Sequence, residues 1–183
     1  MGHSHKAVTI QGVVKVLRAS DLLEPVRARV TPEIRAVLDD PHRDRVHPGH
    51  VLDDTLSAVL ELRDARTVEQ VMYRATEQSL SGIAGPLAHI YMTAVGGGPR
   101  ALLQRFETLV SAGGQGFRVA WKETAQKSGS LTITTDTAPP PVADHSWKGT
   151  VEFLLTFASV TGTVTILPRE NSGHDVRLDV AWS

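Results

Sequence analysis

Hydrophobic residues recur every three or four positions through the first part of the chain and every second position after it. The first spacing is typical of helices that bury one face, and the second is typical of strands. The sequence of 183 residues therefore predicts a single α+β domain, with a helical half at about 7–114 and a sheet-bearing half at about 115–183.

Several helices are predicted in the first half. Residues 7–19 begin with strand-like alternation and continue at helical spacing, so a short helix entered from an extended segment is expected. Thr31 followed by Pro32 is a typical helix start. Residues 39–54 are predicted to be a polar loop, and the next helix follows from an apolar stripe at Leu52, Leu56, Val59 and Leu60.

The remaining helical half is divided by glycine and proline. Thr67 and Gln70 have the spacing of a capping box, which predicts a helix start there. Gly82 and Gly85-Pro86 are expected to interrupt or bend that helix. A further helix should begin at Pro99 and end at a left-handed cap on Gly113 and Gly114.

The second half contains two pairs of alternating segments separated by one helical segment. The first pair is a hairpin that begins at Phe117, and the second ends at Trp182. Three prolines at 139–141 favour an extended connection to a helix that carries Trp147 and Leu154. This ββαββ order predicts a four-stranded antiparallel sheet packed with helices.

Charge and composition exclude several kinds of partner and chemistry. Nineteen Lys and Arg against 20 Asp and Glu give a net charge of -1, which argues against nucleic-acid binding and a polybasic membrane patch. The sequence has no cysteine, which excludes thiolate metal sites and a cysteine nucleophile. No apolar run reaches membrane-span length, so we expect no membrane span and a cytoplasmic location.

Four short motifs, in order along the chain, suggest a family. They are Gly98-Pro99-Arg100 before an apolar helix, a glycine-rich turn into FRVAW, Gly149 opening a helix, and the ending VRLDVAW. Together they resemble a paralogous family of domains of unknown function known chiefly from myxobacteria. That family is similar in fold to the haem nitric-oxide-binding, vinyl-reductase and TRAPP-subunit superfamily.

The resemblance implies a small, commonly dimeric domain whose helices lie against an antiparallel sheet and, in some relatives, leave an apolar cavity. Haem-binding relatives use an axial histidine and a Tyr-x-Ser-x-Arg motif, and residues 115–135 contain no such motif. His89 is the histidine placed roughly where an axial ligand would lie. We therefore predict no haem and no other cofactor.

Two further kinds of site are considered. Gly97 and Gly98 with Arg100 stand at a predicted helix start, where free N–H groups and a guanidinium can hold an anion, although a flexible helix-to-helix joint is the favoured interpretation. Histidines also cluster in the polar loop, but their spacing matches no established metal-ligand pattern. The metal candidates in that loop are His42, His47 and His50, and no metal site is predicted.

A filled core between the last helix and the sheet is the favoured interpretation, and the alternative is a ligand pocket there, lined by Trp147, Leu154, Phe117 and Trp121. No sequence pattern of an enzyme is present. The sequence therefore predicts a non-enzymatic cytoplasmic sensor, adaptor or scaffold that acts through protein–protein interaction, as a homodimer with an unidentified protein partner. The alternative is a binder of a hydrophobic small molecule or tetrapyrrole in that pocket.

Overall fold

A computed structural model describes residues 2–42, 44–94, 98–170 and 173–183, with the side chains of 80–94 outside the description. Eight helices are present in these ranges: α1 (Ala7–Ala19), α2 (Leu23–Arg27), α3 (Pro32–Asp39), α4 (Gly49–Leu62), α5 (Ala65–Ala94), α6 (Pro99–Gln104), α7 (Phe106–Gly113) and α8 (Val142–Phe157). Seven strands accompany them: β1 (Ser4–Lys6), β2 (Val46–Pro48), β3 (Gly114–Gln115), β4 (Phe117–Ala125), β5 (Ser128–Thr135), β6 (Gly162–Leu167) and β7 (Asp175–Trp182). The mixture confirms the predicted α+β class.

Two predicted helix starts differ in how well they agree with the structure. Thr31 caps α3, and its hydroxyl accepts a hydrogen bond from Ile34 N at 3.4 Å. The capping box predicted at Thr67 is wrong, because the carboxylate of Asp64 accepts from Thr67 N at 2.7 Å and from its hydroxyl at 2.8 Å. Asp64 immediately precedes the first turn, so its oxygen reaches the free N–H groups that Thr67 was expected to satisfy.

The second part of the helical half also departs from the prediction. Helix α5 continues to Ala94 through Gly82 and Pro86, so the predicted interruption is wrong, while the alternative of a bend stays a prediction. The helix predicted from Pro99 is two short helices, α6 and α7, which meet at Arg105. The loss of one N–H at a proline does not by itself end a helix of 30 residues.

The glycine that follows α7 allows strands β3 and β1 to approach each other closely. Gly114 has φ of -167°, so the predicted left-handed cap is wrong and the residue is extended. A Cβ atom on Gly114 would lie 2.5 Å from the carbonyl oxygen of Ser4 in the neighbouring strand. The left-handed residue is Gly116, with φ of 81°.

The predicted four-stranded antiparallel sheet is confirmed, with strand order β4-β5-β7-β6. Leu131 in β5 lies opposite Trp121 in β4 and Leu178 in β7. Alternate residues of the two central strands are fully buried, as period-two burial of one face requires. Helix α8 packs on that face through Leu154 and its neighbours.

A second sheet of three short strands, in the order β2-β1-β3, was not predicted. Its central strand places His5 opposite His47 on one side and opposite Gly114 on the other. The stretch predicted as a polar loop at 39–54 therefore holds β2 and the first turn of α4. This sheet ties the N-terminus of the chain to the end of the helical half.

Buried hydrophobic residues form two clusters, one among the helices of the first half and one between α8 and the four-stranded sheet. Helices α5 and α8 join the two clusters. Gly149 of α8 lies directly against the backbone of Glu69 in α5, where an added Cβ atom would overlap the Glu69 carbonyl oxygen. Among the described residues, no helix combines the length and hydropathy that crossing a bilayer requires.

Candidate functional site

A cavity of about 230 Å³ lies where the two hydrophobic clusters meet. Its walls come from β1, α1, α4, α5, α7 and α8, and from the strands of the larger sheet. Most of the lining is apolar, and the apolar side chains include Val8, Leu52, Met72, Phe106, Leu109, Val110, Ile133, Ala143 and Val176. Such a space, with few polar groups, fits a small hydrophobic molecule better than a charged one.

Three of the four residues predicted to line a pocket come together on this wall. The ring centroids of Phe117 and Trp147 are 5.2 Å apart at 80°, and Leu154 lies further along α8. Trp121 is not among the lining residues. Its ring instead lies 6.2 Å from that of Trp182, beside Gly129.

Histidines from the N-terminal segment form part of the wall, which the sequence did not predict. His3 Nε2 lies 3.1 Å from the Asp53 carboxylate, and the His3 and His5 rings meet edge to face at 5.6 Å. The ring centroid of Phe117 lies 5.1 Å from that of His3 and 5.5 Å from that of His5. The one available signal was the period-two spacing of His3 and His5, in a segment too short to predict a strand.

His5 is a neutral polar group in the wall. Burial lowers the pKa of His5 from 6.5 to about 4, with a smaller contribution in the same direction from His3, while Asp53 acts in the opposite direction. His5 as a whole is 8% exposed. At neutral pH it therefore presents one hydrogen-bond donor and one acceptor.

Most hydroxyl groups in the wall already donate to backbone carbonyls. Thr76 donates to Met72 O at 2.7 Å, and Ser79 donates to Ala75 O at 2.8 Å. The other hydroxyl donors engaged in this way are Thr9 with Gly113 O, Thr135 with Thr137 O, and Thr150 with Ser146 O. These residues thus contribute mainly methyl, methylene and acceptor surface to the cavity.

Arg169 stabilises the proline-rich connection that forms part of the cavity wall. Its guanidinium donates to the carbonyl oxygens of Pro139 at 2.5 Å and Pro140 at 2.8 Å, and to the Asp144 carboxylate at 3.0 Å. Pro139 and Ala143 line the cavity. The proline-rich connection is therefore held in place by a side chain whose donors match several fixed acceptors.

Replacing Arg169 with methionine is expected to lower the free energy of unfolding by about 2–3 kcal/mol, because Asp144 and two carbonyls lose a charged donor while half-buried. Urea denaturation followed by circular dichroism measures this. Arg177→Met is the control, since Arg177 pairs with the exposed Glu170, and should cost less than about 1 kcal/mol. Equal losses in the two variants would contradict the stabilising role of Arg169.

The histidines and Arg100 considered from the sequence are found in separate surroundings. His47 is buried with its Nε2 2.9 Å from Pro41 O, whereas His42 and His50 are exposed. Within the described ranges, no three His, Asp or Glu side chains converge as a metal site. Arg100 pairs with the Glu123 carboxylate at 2.7 Å, and Gly98 precedes α6.

Two residues considered from the sequence fall outside the description. Gly97 is outside the described residues, and His89 is in α5 where the side chains are outside them. The anion-site and axial-ligand hypotheses are therefore left as predictions at those positions.

Comparison with known families identifies the chain. A family model described as a protein of unknown function, DUF2378, matches residues 7–183. The chain belongs to the DUF2378 family. No curated protein sequence matches this DUF2378 domain.

Solved structures show which fold the DUF2378 domain shares. One is an Fe(II) unliganded H-NOX protein from K. algicida, with a TM-score of 0.68 at 10% identity over 97% of this chain and 96% of that chain. Another is an oxygen-binding H-NOX domain related to soluble guanylate cyclases, in its oxygen complex, with a TM-score of 0.62 at 14% identity over 97% and 94%. The predicted family of domains of unknown function and its predicted resemblance in fold to haem nitric-oxide-binding domains are confirmed.

The described lining of this DUF2378 domain does not fit a haem. His3 and His5 are of the residue type that binds haem iron. However, the described lining residues include no Arg or Lys that could pair with two propionates, and they include the Asp53 carboxylate, which would repel them. The cavity of about 230 Å³ is also below the range of about 300–1,000 Å³ that holds drug-sized ligands.

Proposed function

We propose that this domain is a sensor that binds a small, mainly apolar molecule in the cavity between its helices and its sheet, and that it does so without catalysing a reaction. The observation that carries the proposal is the cavity of about 230 Å³, which is partly open at the surface and has a mainly apolar lining. An apolar occupant would remove this lining from contact with water, which is favourable.

The position of the cavity supports a sensing role. Its walls include β1 from the N-terminal segment and α8 from the sheet-bearing half, so an occupant contacts both hydrophobic clusters. A ligand changes a conformational equilibrium only through contacts that differ between two states. A ligand that contacts both hydrophobic clusters could make such contacts if the clusters shift relative to each other. The shared H-NOX fold agrees with this proposal.

Ala143→Leu is expected to weaken binding of indene, used as an apolar probe, at least tenfold. A cavity of about 150 Å³ holds benzene, so three added carbons remove about 75 Å³, roughly a third of the space. Isothermal titration calorimetry and ligand-observed NMR measure the affinity. Ala101→Leu makes the same substitution in α6 away from the lining residues and should leave binding unchanged. If neither indene nor an uncharged molecule of the same size with one polar group binds the unsubstituted domain, the proposed function fails.

The homodimer, the protein partner and the cytoplasmic location stay predictions. The cavity favours the small-molecule alternative over an adaptor or scaffold. Sedimentation over a wide concentration range tests the homodimer independently of ligand binding, because a dimer dissociates on dilution and a monomer does not.

A further inference from the structure

Two polar side chains in the cavity wall have no hydrogen-bond partner among the described residues. They are the His5 imidazole and the Ser146 hydroxyl, in residues that are 8% and 9% exposed. The wall's threonines and Ser79, by contrast, all donate to carbonyl oxygens. The polar atoms of His5 and Ser146 are not among the completely buried atoms without a partner, so a ligand in the cavity can reach them and supply the hydrogen bonds that they lack.

The charge of the wall restricts the ligand further. Asp53 is the carboxylate in the described lining, and His3 lies 3.1 Å from it. No Lys or Arg is present among those lining residues. An anion entering the cavity would lose hydration without gaining a Lys or Arg partner from the described lining, which is unfavourable in an apolar site.

The volume sets the ligand's size. A cavity of about 150 Å³ is filled by the six carbons of benzene, so by proportion about 230 Å³ suits roughly nine non-hydrogen atoms. That is the size of one bicyclic ring or of a benzene ring with a short substituent.

We propose that the cavity selects an uncharged ligand of about nine non-hydrogen atoms, apolar over most of its surface, with one hydrogen-bonding group that His5 and Ser146 bind. This inference rests on the proposed function. It assigns specificity to a histidine in the N-terminal strand and a serine on α8, so the polar contact spans the two hydrophobic clusters.

The protonation state of His5 agrees with this selectivity. Burial keeps the pKa of His5 near 4, so the ring is neutral at pH 7 and does not attract an anion. A neutral imidazole and a hydroxyl each donate and accept, so either a donor or an acceptor on the ligand can be satisfied. A site with unpaired polar groups discriminates strongly against a ligand that lacks a matching group.

Two pairs of probes with nine non-hydrogen atoms each test the proposal. Indole and indene share a shape but differ in one N–H group, and benzamide and benzoate share a shape but differ in charge. At pH 7 we expect indole to bind five- to tenfold more tightly than indene, and benzoate to bind at least tenfold more weakly than benzamide, as measured by titration calorimetry.

Variants assign the preference to named groups. His5→Phe keeps a ring in the wall and should bring the ratio of indole to indene affinity to about one, and Ser146→Ala should reduce it partly. Thr156→Val is the control, because Thr156 lies on the exposed face of the same helix and does not line the cavity. Its ratio should stay as in the unsubstituted domain.

The outcomes separate the two proposals. If indene and indole bind equally well to the unsubstituted domain, the assigned selectivity is wrong while the proposed function stands. Benzoate binding as tightly as benzamide also overturns the selectivity. If none of the four probes binds, the proposed function itself fails.

Discussion

Replacing Gly149 with alanine is expected to destabilise the domain by about 3 kcal/mol or more, as large as single overpacking substitutions become. A Cβ atom there would overlap the Glu69 carbonyl oxygen and lie 2.8 Å from the Glu69 carbonyl carbon. Both obstacles are backbone atoms of α5, so no side chain can rotate away. The helices α5 and α8 would have to separate, which would loosen the contacts that join the two hydrophobic clusters.

Thermal and urea unfolding of Gly149→Ala measure this effect. Thr156→Ala places the same residue on the exposed face of the same helix and should change stability by less than about 0.5 kcal/mol. Alanine has the higher helix propensity, so propensity alone would make Gly149→Ala stabilising by up to about 1 kcal/mol. A stabilised variant would therefore show that the close approach of α5 and α8 is wrong.

The longer helices and strands were predictable because each contains several repeats of its hydrophobic pattern. Strands β5 and β7 alternate over eight residues each, and this alternation fixed the four-stranded sheet. The three strands of the second sheet have two or three residues each, too few for any period to emerge. They exist because β1 pairs with segments distant in sequence, and such pairing leaves no local pattern.

The sequence predicted which residues share one face of an element, but not how far along that element the cavity extends. Phe117 and Trp121 point to the same face of β4, so alternation predicted them together. Four residues along a strand span about 13 Å, however. Phe117 therefore reaches the cavity, whereas Trp121 lies at the far end of the sheet beside Trp182.

The polar part of the wall was not predictable. His3 and His5 stand in a short polar segment near the N-terminus, which is too short to show a hydrophobic pattern. Their burial follows from the pairing of β1 with β2 and β3, and from the contact of both rings with Phe117. A buried histidine of this kind becomes apparent only once the tertiary structure brings distant segments around it.

Acid is expected to destabilise the domain through His5 well above the pH at which carboxylates titrate. The folded-state pKa is lowered from 6.5 to about 4, so between these values the unfolded chain binds a proton that the folded chain does not. Stability from the neutral ring is therefore fully present above pH 6.5, falls as the pH decreases, and stops falling near pH 4. The total is about 3 kcal/mol.

The measurement is the free energy of unfolding in urea at pH 7 and at pH 4, compared with His5→Phe. The charged and titratable groups that face His5 are His3 and Asp53, with His47 opposite it in β2, and all of them remain in the variant. His5→Phe should lose about 3 kcal/mol less than the unsubstituted domain over this interval, because it has no ring to protonate. His42→Phe changes an exposed histidine and should leave the pH dependence as it was. Parallel curves for the His5→Phe variant and the unsubstituted domain would show that His5 is not held neutral by burial, and that another group carries the acid sensitivity.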